Sequence, residues 1–256
     1  IMVNGGAVGP DLSGLSPYFW NVIALAHLEV PVLVNYLTRH RNVKRMALVY
    51  VDDPLGDAIL GQLRAELPKA GGQLVGSFSV PRAAQQFGPV AARVRQTRPD
   101  AVYIASFGAQ QSQIIKGLRD NGVTQILCSY SAFSIDSVRQ LPEAVGALYT
   151  TQKLDFESGD PITRRFAADF RARYNQTPVA YHANYYNAAY LFGLLARQLE
   201  QANEEVNGES LRQAMLRTRT FDLVGGRGTF DDQGNLMTQM QVNEIKGAGR
   251  TEIVQG

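Results

Sequence analysis

The residues able to do chemistry in this 256-residue chain are few and scattered. Asp52 and Asp53 are adjacent, so in an extended segment their carboxylates point apart. They make a poor acid–base pair, whereas Asp52-Asp-Pro-Leu-Gly56 is natural turn chemistry. The three histidines, His27, His40 and His182, fit no metal-ligand spacing and read as surface or core residues. Cys128 is the sole cysteine, so no internal disulfide is possible; it ends an apolar run and reads as a buried structural thiol. No G-x-S-x-G, H-E-x-x-H or C-x-x-C pattern occurs. The Asn4-Gly-Gly-Ala-Val-Gly-Pro10 turn can bring backbone close to a ligand, but it lacks both G-x-x-x-x-G-K-[ST] and G-x-G-x-x-G. The residues therefore encode neither a nucleophile–base constellation nor a metal or cofactor site, and binding is the chemistry that remains. The single tryptophan, Trp20, is either a core aromatic or a ligand-facing one.

The totals narrow the class further. With 45% hydrophobic and 19% charged residues the composition is that of a globular protein large enough for one big domain or two small ones. A net charge of +2, with no basic run longer than Arg39-His-Arg, argues against nucleic acid as a partner. No apolar run approaches the ~20 residues of a membrane-spanning helix. The first residues, Ile1-Met-Val, read like the middle of a strand, which suggests a mature, cleaved or truncated product.

The elements that must position any site follow a regular rhythm. The central stretch is Arg45 to Leu60: an apolar run of β-formers, a turn with two carboxylates, then an amphipathic helix. Helices are expected at about 25–40, 57–70, 86–97 and 109–121, and strands at 45–51, 73–80, 100–106, 125–130 and 147–152. Each strand-plus-helix unit takes about 25–30 residues, the length of right-handed βαβ crossovers, so a parallel sheet with helices on both faces is expected. A short helix is expected at 134–141. Residues 160–217 then read as three helices with no strand between them. The tail offers strands at about 227–231 and 237–246 around an Asp231-Asp-Gln-Gly-Asn hairpin turn. The three helices need an apolar surface, and Ile1-Met-Val is too little sheet. Either they form a separate bundle or their sheet comes from residues upstream.

This order of pieces resembles the type I periplasmic binding proteins of the branched-chain amino acid (Leu/Ile/Val) branch, the solute receptors of ABC importers. The matching pieces are Gly6-Ala-Val-Gly-Pro-Asp-Leu12, Pro17-Tyr-Phe-Trp20, the strand and Asp-Asp-x-x-Gly of Val51–Gly56, and Phe87 after the Val80-Pro81 turn. They continue with Pro99-Asp-Ala-Val-Tyr-Ile104, Leu118-Arg-Asp-Asn-Gly122, Phe166-x-x-x-Phe-x-x-x-Tyr174, Tyr186-Asn-Ala-Ala, and Gly228-x-Phe-Asp-x-x-Gly234. The resemblance runs along nearly the whole chain. It implies an α/β fold of two doubly wound parallel-sheet lobes with the ligand between them. Residues 1–23 and 152–222 would be a partial N-terminal lobe, and 24–151 with 223–256 the C-terminal lobe. About three βα units of the first lobe, on the order of 100 residues at ~30 each, would be missing.

The resemblance also implies where a ligand binds. Relatives that bind amino acids hold the carboxylate in the turn matching Ala7, Val8 and Gly9; with no hydroxyl here, only backbone donors remain. They hold the ammonium with an acidic residue at a position matching Tyr130. Leu55 stands where a Tyr is frequent, and Phe107 and Gly108 follow the next strand. Trp20 or Tyr181 would face the ligand from the other side. Leu55 and Phe107 also read as packed core, and Tyr130 as a hydrogen-bonded loop residue. This wall is too apolar for an ammonium, which needs a carboxylate or a cation–π cage. An uncharged or aromatic-acid ligand is expected over an aliphatic amino acid.

The expected protein is thus a non-enzymatic, periplasmic receptor, exported by a signal peptide, that closes on a small ligand by hinge motion and hands it to an ABC permease. It needs no cofactor, metal, nucleic acid or membrane span of its own. The alternative is the ligand-sensing domain of a regulator or receptor with the same fold; an enzyme on a doubly wound fold is the third reading.

Overall fold

The apolar runs and their turns resolve, in a computed structural model describing all 256 residues, into twenty main elements. In chain order they are β1 (Met2–Asn4), β2 (Phe19–Asn21), α1 (Ala26–His40), β3 (Arg45–Val51), α2 (Pro54–Lys69), β4 (Gln73–Val80) and α3 (Gly88–Gln96). Next come β5 (Ala101–Ala105), α4 (Gly108–Asp120), β6 (Ile126–Ser129), α5 (Asp136–Arg139), β7 (Leu148–Gln152), α6 (Pro161–Tyr174), α7 (Ala180–Gln201) and α8 (Gly208–Thr218). The tail forms β8 (Thr220–Leu223), β9 (Gly226–Phe230), β10 (Leu236–Met237), β11 (Met240–Gly247) and β12 (Arg250–Gln255). The chain divides into a first unit, residues 1–25 and 152–239, and a second unit, residues 26–151 and 240–256. It therefore crosses from one to the other three times.

The second unit is built on a seven-stranded sheet of order β12-β11-β7-β6-β5-β3-β4. From β4 through β7 every neighbour is parallel, and β12 runs antiparallel to β11. β3 is buried except at Arg45 and Tyr50, as a strand covered on both faces must be. Ala47, Val49 and Val51 join a core with Val94 of α3 and Ile114, Ile115 and Leu118 of α4. Met46 and Leu48 alternate with them and are equally buried, so they serve the other face. On that side α1 packs on α2, and α2 on β3 and β4.

Local chemistry explains the boundaries. Pro54 opens α2 at N1, and Asp53 caps it by accepting from the Gly56 amide at 2.8 Å. The helix therefore starts three residues before the expected position. Gly56 is required: a Cβ there would lie 2.2 Å from the Val51 carbonyl oxygen. The expected helix at 134–141 is instead a 3-10 turn, Ser131–Ser134, followed by the single turn α5. The expected strand 237–246 is split, with β10 pairing on β9 and β11 joining the large sheet.

In the first unit β1 and β2 form a parallel pair, and β8, β9 and β10 an antiparallel sheet. The three late helices find their apolar surface here. Leu191, Leu195 and Leu199 of α7 and Leu211 and Met215 of α8 pack with Trp20, Val22, Phe221, Phe230 and Leu236. Phe166 of α6 packs with Leu154, Ala183 and Val224. Segment 223–239, expected with the second lobe, thus belongs to the first unit, because β8–β10 is the sheet that α7 and α8 bury. The opposite face of α7 stays open: Tyr185, Tyr186 and Phe192 are exposed, and Tyr186, Ala189, Tyr190, Gly193, Leu194 and Arg197 line a shallow groove of about 420 Å³.

Candidate functional site

Parallel strands place their carboxyl ends, and the loops that follow, along one edge of the sheet; in open α/β sheets ligands bind at that edge. In the second unit β4, β3, β5 and β6 are consecutive neighbours, so the loops at 81–87, 52–55, 106–108 and 130–135 share an edge. Leu55 and the Phe107–Gly108 pair therefore lie along it together. Leu55 is half-buried in the first turn of α2. Phe107 is not packed core: it is 47% exposed. It is the N-cap residue of α4 without a side chain able to cap, and Gly108 follows with φ of +61°. The first-turn amides of α4 are left for solvent or a ligand.

Sequence reasoning missed the residue above Phe107. The Arg82 guanidinium lies over its ring, 5.9 Å from the centroid, and 3.6 Å from the Asp53 carboxylate. That ion pair is longer than a bidentate fork, and the Arg82 side chain is 65% exposed, so the guanidinium remains open to another carboxylate. Gln110 ties the same corner together by donating to the Pro81 carbonyl at 2.7 Å. One arginine in an exposed loop carries no motif, which is why the chain alone did not flag it.

Tyr130 behaves differently. Its side chain is 1% exposed, and its hydroxyl donates to the Ser106 carbonyl at 2.6 Å. It ties the 106–108 loop to the 130–135 turn from beneath and presents no surface to a ligand in this conformation. The turn itself is held by a second residue that sequence reasoning passed over, Glu29 in the first turn of α1. Glu29 is fully buried, and its Oε2 accepts from the Ser131 amide at 2.6 Å and from the Thr150 hydroxyl at 3.3 Å. Burial pushes its carboxyl up to about 8, against the opposing pull of those hydrogen bonds. One signal was available: Glu29 lies on the same helical stripe as Leu33 and Leu37, where an acid does not belong. Around it, Tyr103 and Cys128 are buried, and burial raises the pKa of each side chain well above its usual range.

The remaining candidates lie in the first unit. Asn4 shapes the glycine-rich turn: its Oδ1 accepts from the Gly6 and Ala7 amides at 3.1 and 2.9 Å, and its Nδ2 donates to the Ala7 carbonyl at 2.7 Å. The Ala7 amide is thereby consumed, and of the three expected carboxylate positions Asn4 leaves the amides of Val8 and Gly9 unclaimed. The Val8 side chain is buried, and that of Ala7 is exposed. Gly5 presses on the Asn184 carbonyl of α7, where a Cβ would sit at 2.9 Å, so the turn is seated on that helix. Tyr181 is half-buried in the first turn of α7. Trp20 is 4% exposed and meets Phe230 edge-to-face at 5.5 Å; it is a core aromatic of this unit, not an exposed one. Of the histidines, His182 packs on Phe170 and its Nδ1 accepts from the Val179 amide at 3.1 Å, a structural role at the start of α7.

The fold has many solved counterparts. A leucine binding protein, LivK, of Thermotoga maritima superimposes with a TM-score of 0.85 at 17% identity, over 98% of this chain and 71% of that one. A solute binding protein of an ABC transporter from R. palustris, in complex with benzoate, gives 0.85 at 14% identity, over 99% and 69%. The branched-chain amino acid binding protein LivJ of Streptococcus pneumoniae, in complex with isoleucine, gives 0.83 at 15% identity, over 99% and 72%. At such identities the likeness concerns the fold alone. A comparison with curated proteins finds no match. The sequence itself matches the periplasmic binding protein family along residues 2–250, nearly its whole length, and the chain belongs to that family.

Proposed function

We propose that this protein is an extracytoplasmic solute receptor of an ABC importer, and that its ligand is a small aromatic or apolar carboxylic acid. The family supports a binding role without catalysis, and receptors of this kind deliver their ligand to a permease; no helix here is long and apolar enough to cross a membrane. The ligand class rests on one observation: an exposed Phe107 beneath the Arg82 guanidinium, at the uncapped start of α4, on the strand-end edge of the second unit. A flat ring stacks on the phenyl group, and a carboxylate takes the guanidinium and the α4 amides. An aliphatic amino acid also carries an ammonium; of the two acids in the 52–55 loop, Asp53 is already the cap of α2 and a partner of Arg82, and Asp52 is exposed to solvent, where an ion pair contributes little.

Titration calorimetry with benzoate and L-leucine tests this. Benzoate should bind more tightly than leucine. Phe107→Ala should weaken benzoate by about 1 kcal/mol, and Arg82→Met by about 1–3 kcal/mol. Tight leucine binding without benzoate binding would overturn the ligand class.

A further inference from the structure

We propose that Glu29 is the positioning residue of the candidate edge: from the first turn of α1 it holds the Ser131 amide as an uncharged acid, and so sets the 130–135 turn and the Tyr130 hydroxyl that fastens the 106–108 loop. The ligand-binding consequence rests on the function proposed above; the effect on the turn does not.

The geometry makes a short chain of contacts. Glu29 Oε2 receives the Ser131 amide at 2.6 Å and the Thr150 hydroxyl of β7 at 3.3 Å. The neighbour of Ser131 is Tyr130, whose hydroxyl donates to Ser106 at 2.6 Å, next to the exposed Phe107. Gln111, in the first turn of α4, reaches the Ser129 hydroxyl at 3.4 Å, and that hydroxyl donates to Ile104 at 2.7 Å. The strand ends of β5 and β6 and the start of α4 are thus bound into one buried polar cluster, with Glu29 its only carboxylate.

The groups acting on Glu29 are hydrogen-bond donors, Ser131 and Thr150, with no cation among them. Its first contacts are an amide and a hydroxyl. The titratable groups sharing the cluster are the phenols of Tyr103 and Tyr130 and the thiol of Cys128, all neutral when protonated. On α2 the charged side chains of Asp57, Arg64 and Lys69 are exposed. On β11 Glu244 pairs with Arg41 and Lys246, while Gln241 and Asn243 are buried and uncharged. An ionised carboxylate buried without a cation is costly, so the acid keeps its proton at neutral pH.

Hydrogen–deuterium exchange of the full chain, read on peptides covering 126–135, tests this without a ligand. At about pH 4, where the acid is protonated in the opened turn as well as the closed one, Glu29→Gln should exchange as slowly as wild type, because the amide oxygen still accepts from Ser131. Glu29→Leu should speed exchange there about tenfold by freeing that N–H. As pH rises from about 5 to about 8 the wild type should exchange progressively faster than Glu29→Gln at the same pH, because the acid gives up its proton whenever the turn opens, and the ratio should level off above about 8. A Glu29→Gln variant as fast as Glu29→Leu at about pH 4, or a wild-type to Glu29→Gln ratio that stays flat from about pH 5 to about pH 8, would overturn the proposal. The ratio decides the matter even if Glu29→Leu fails to fold. In a parallel calorimetric arm with benzoate, Glu29→Gln should keep wild-type affinity at about pH 5 and lack the decline that wild type shows toward about pH 8. If benzoate binds no variant, the proposed ligand class fails, and the exchange result still decides the role of Glu29.

Discussion

Glu29 concentrates at one residue the conflict between burial and charge. Its folded carboxyl titrates at about 8 instead of 4.5, so the native state holds a proton that the unfolded chain has lost at neutral pH. The unfolded state therefore gains relative stability as pH rises above 4.5, and the loss ends once pH passes the folded value. Stability should fall from about pH 5 to about pH 8, by an amount on the order of a few kcal/mol, since each tenfold change in proton affinity is worth about 1.4 kcal/mol. Urea midpoints measured across that window should decline for wild type. Glu29→Gln has nothing to titrate there and should flatten the curve; an equal slope in both would assign the dependence to other groups. Phe107 shows the opposite balance: a large ring left 47% exposed, its contribution deferred to whatever covers it.

At the scale of elements, the β3–α2 joint shows how sequence and packing agree. Asp53 caps, Pro54 starts the helix, and Gly56 lets the first turn lie against the end of β3. The Asp-Asp-Pro-Leu-Gly run announces all three. Gly56→Ala would drive a Cβ into the Val51 carbonyl and the Tyr50 ring, at 2.2 and 2.7 Å. The expected cost is about 1–3 kcal/mol, read from urea denaturation; an unchanged midpoint would mean that the helix can shift away without penalty. The 130–135 turn was much less legible. Ser131-Ala-Phe-Ser134 has the composition of a helix or a loop; the Phe133 amide closes it as a 3-10 turn on the Tyr130 carbonyl, and Glu29, 102 residues earlier, takes the Ser131 amide.

At the scale of the whole molecule, the two units carry one natural reporter each. Trp20 lies in the core of the first and Cys128 in the core of the second. The first unit relies on a two-stranded and a three-stranded sheet, the second on seven strands with covered faces. Small sheets are the less stable on their own. Tryptophan fluorescence should therefore change at a lower urea concentration than Cys128 becomes reactive toward a thiol reagent. Coincident transitions would show that the three chain crossings make unfolding a single event. Cys128 should be inert in native protein, because burial disfavours its thiolate.

The alternating βα rhythm, the caps and the strand-end loops were readable from residue order, because periodicity and turn chemistry act over fewer than ten residues. The family's order of motifs was readable for the same reason. Tertiary structure alone decided that residues 223–239 complete the first unit's sheet, that Trp20 and Tyr130 are buried while Phe107 is open, and that Arg82 and Glu29 matter. Each of those outcomes depends on a partner far away in sequence, and local pattern holds no record of which distant surface a side chain will meet.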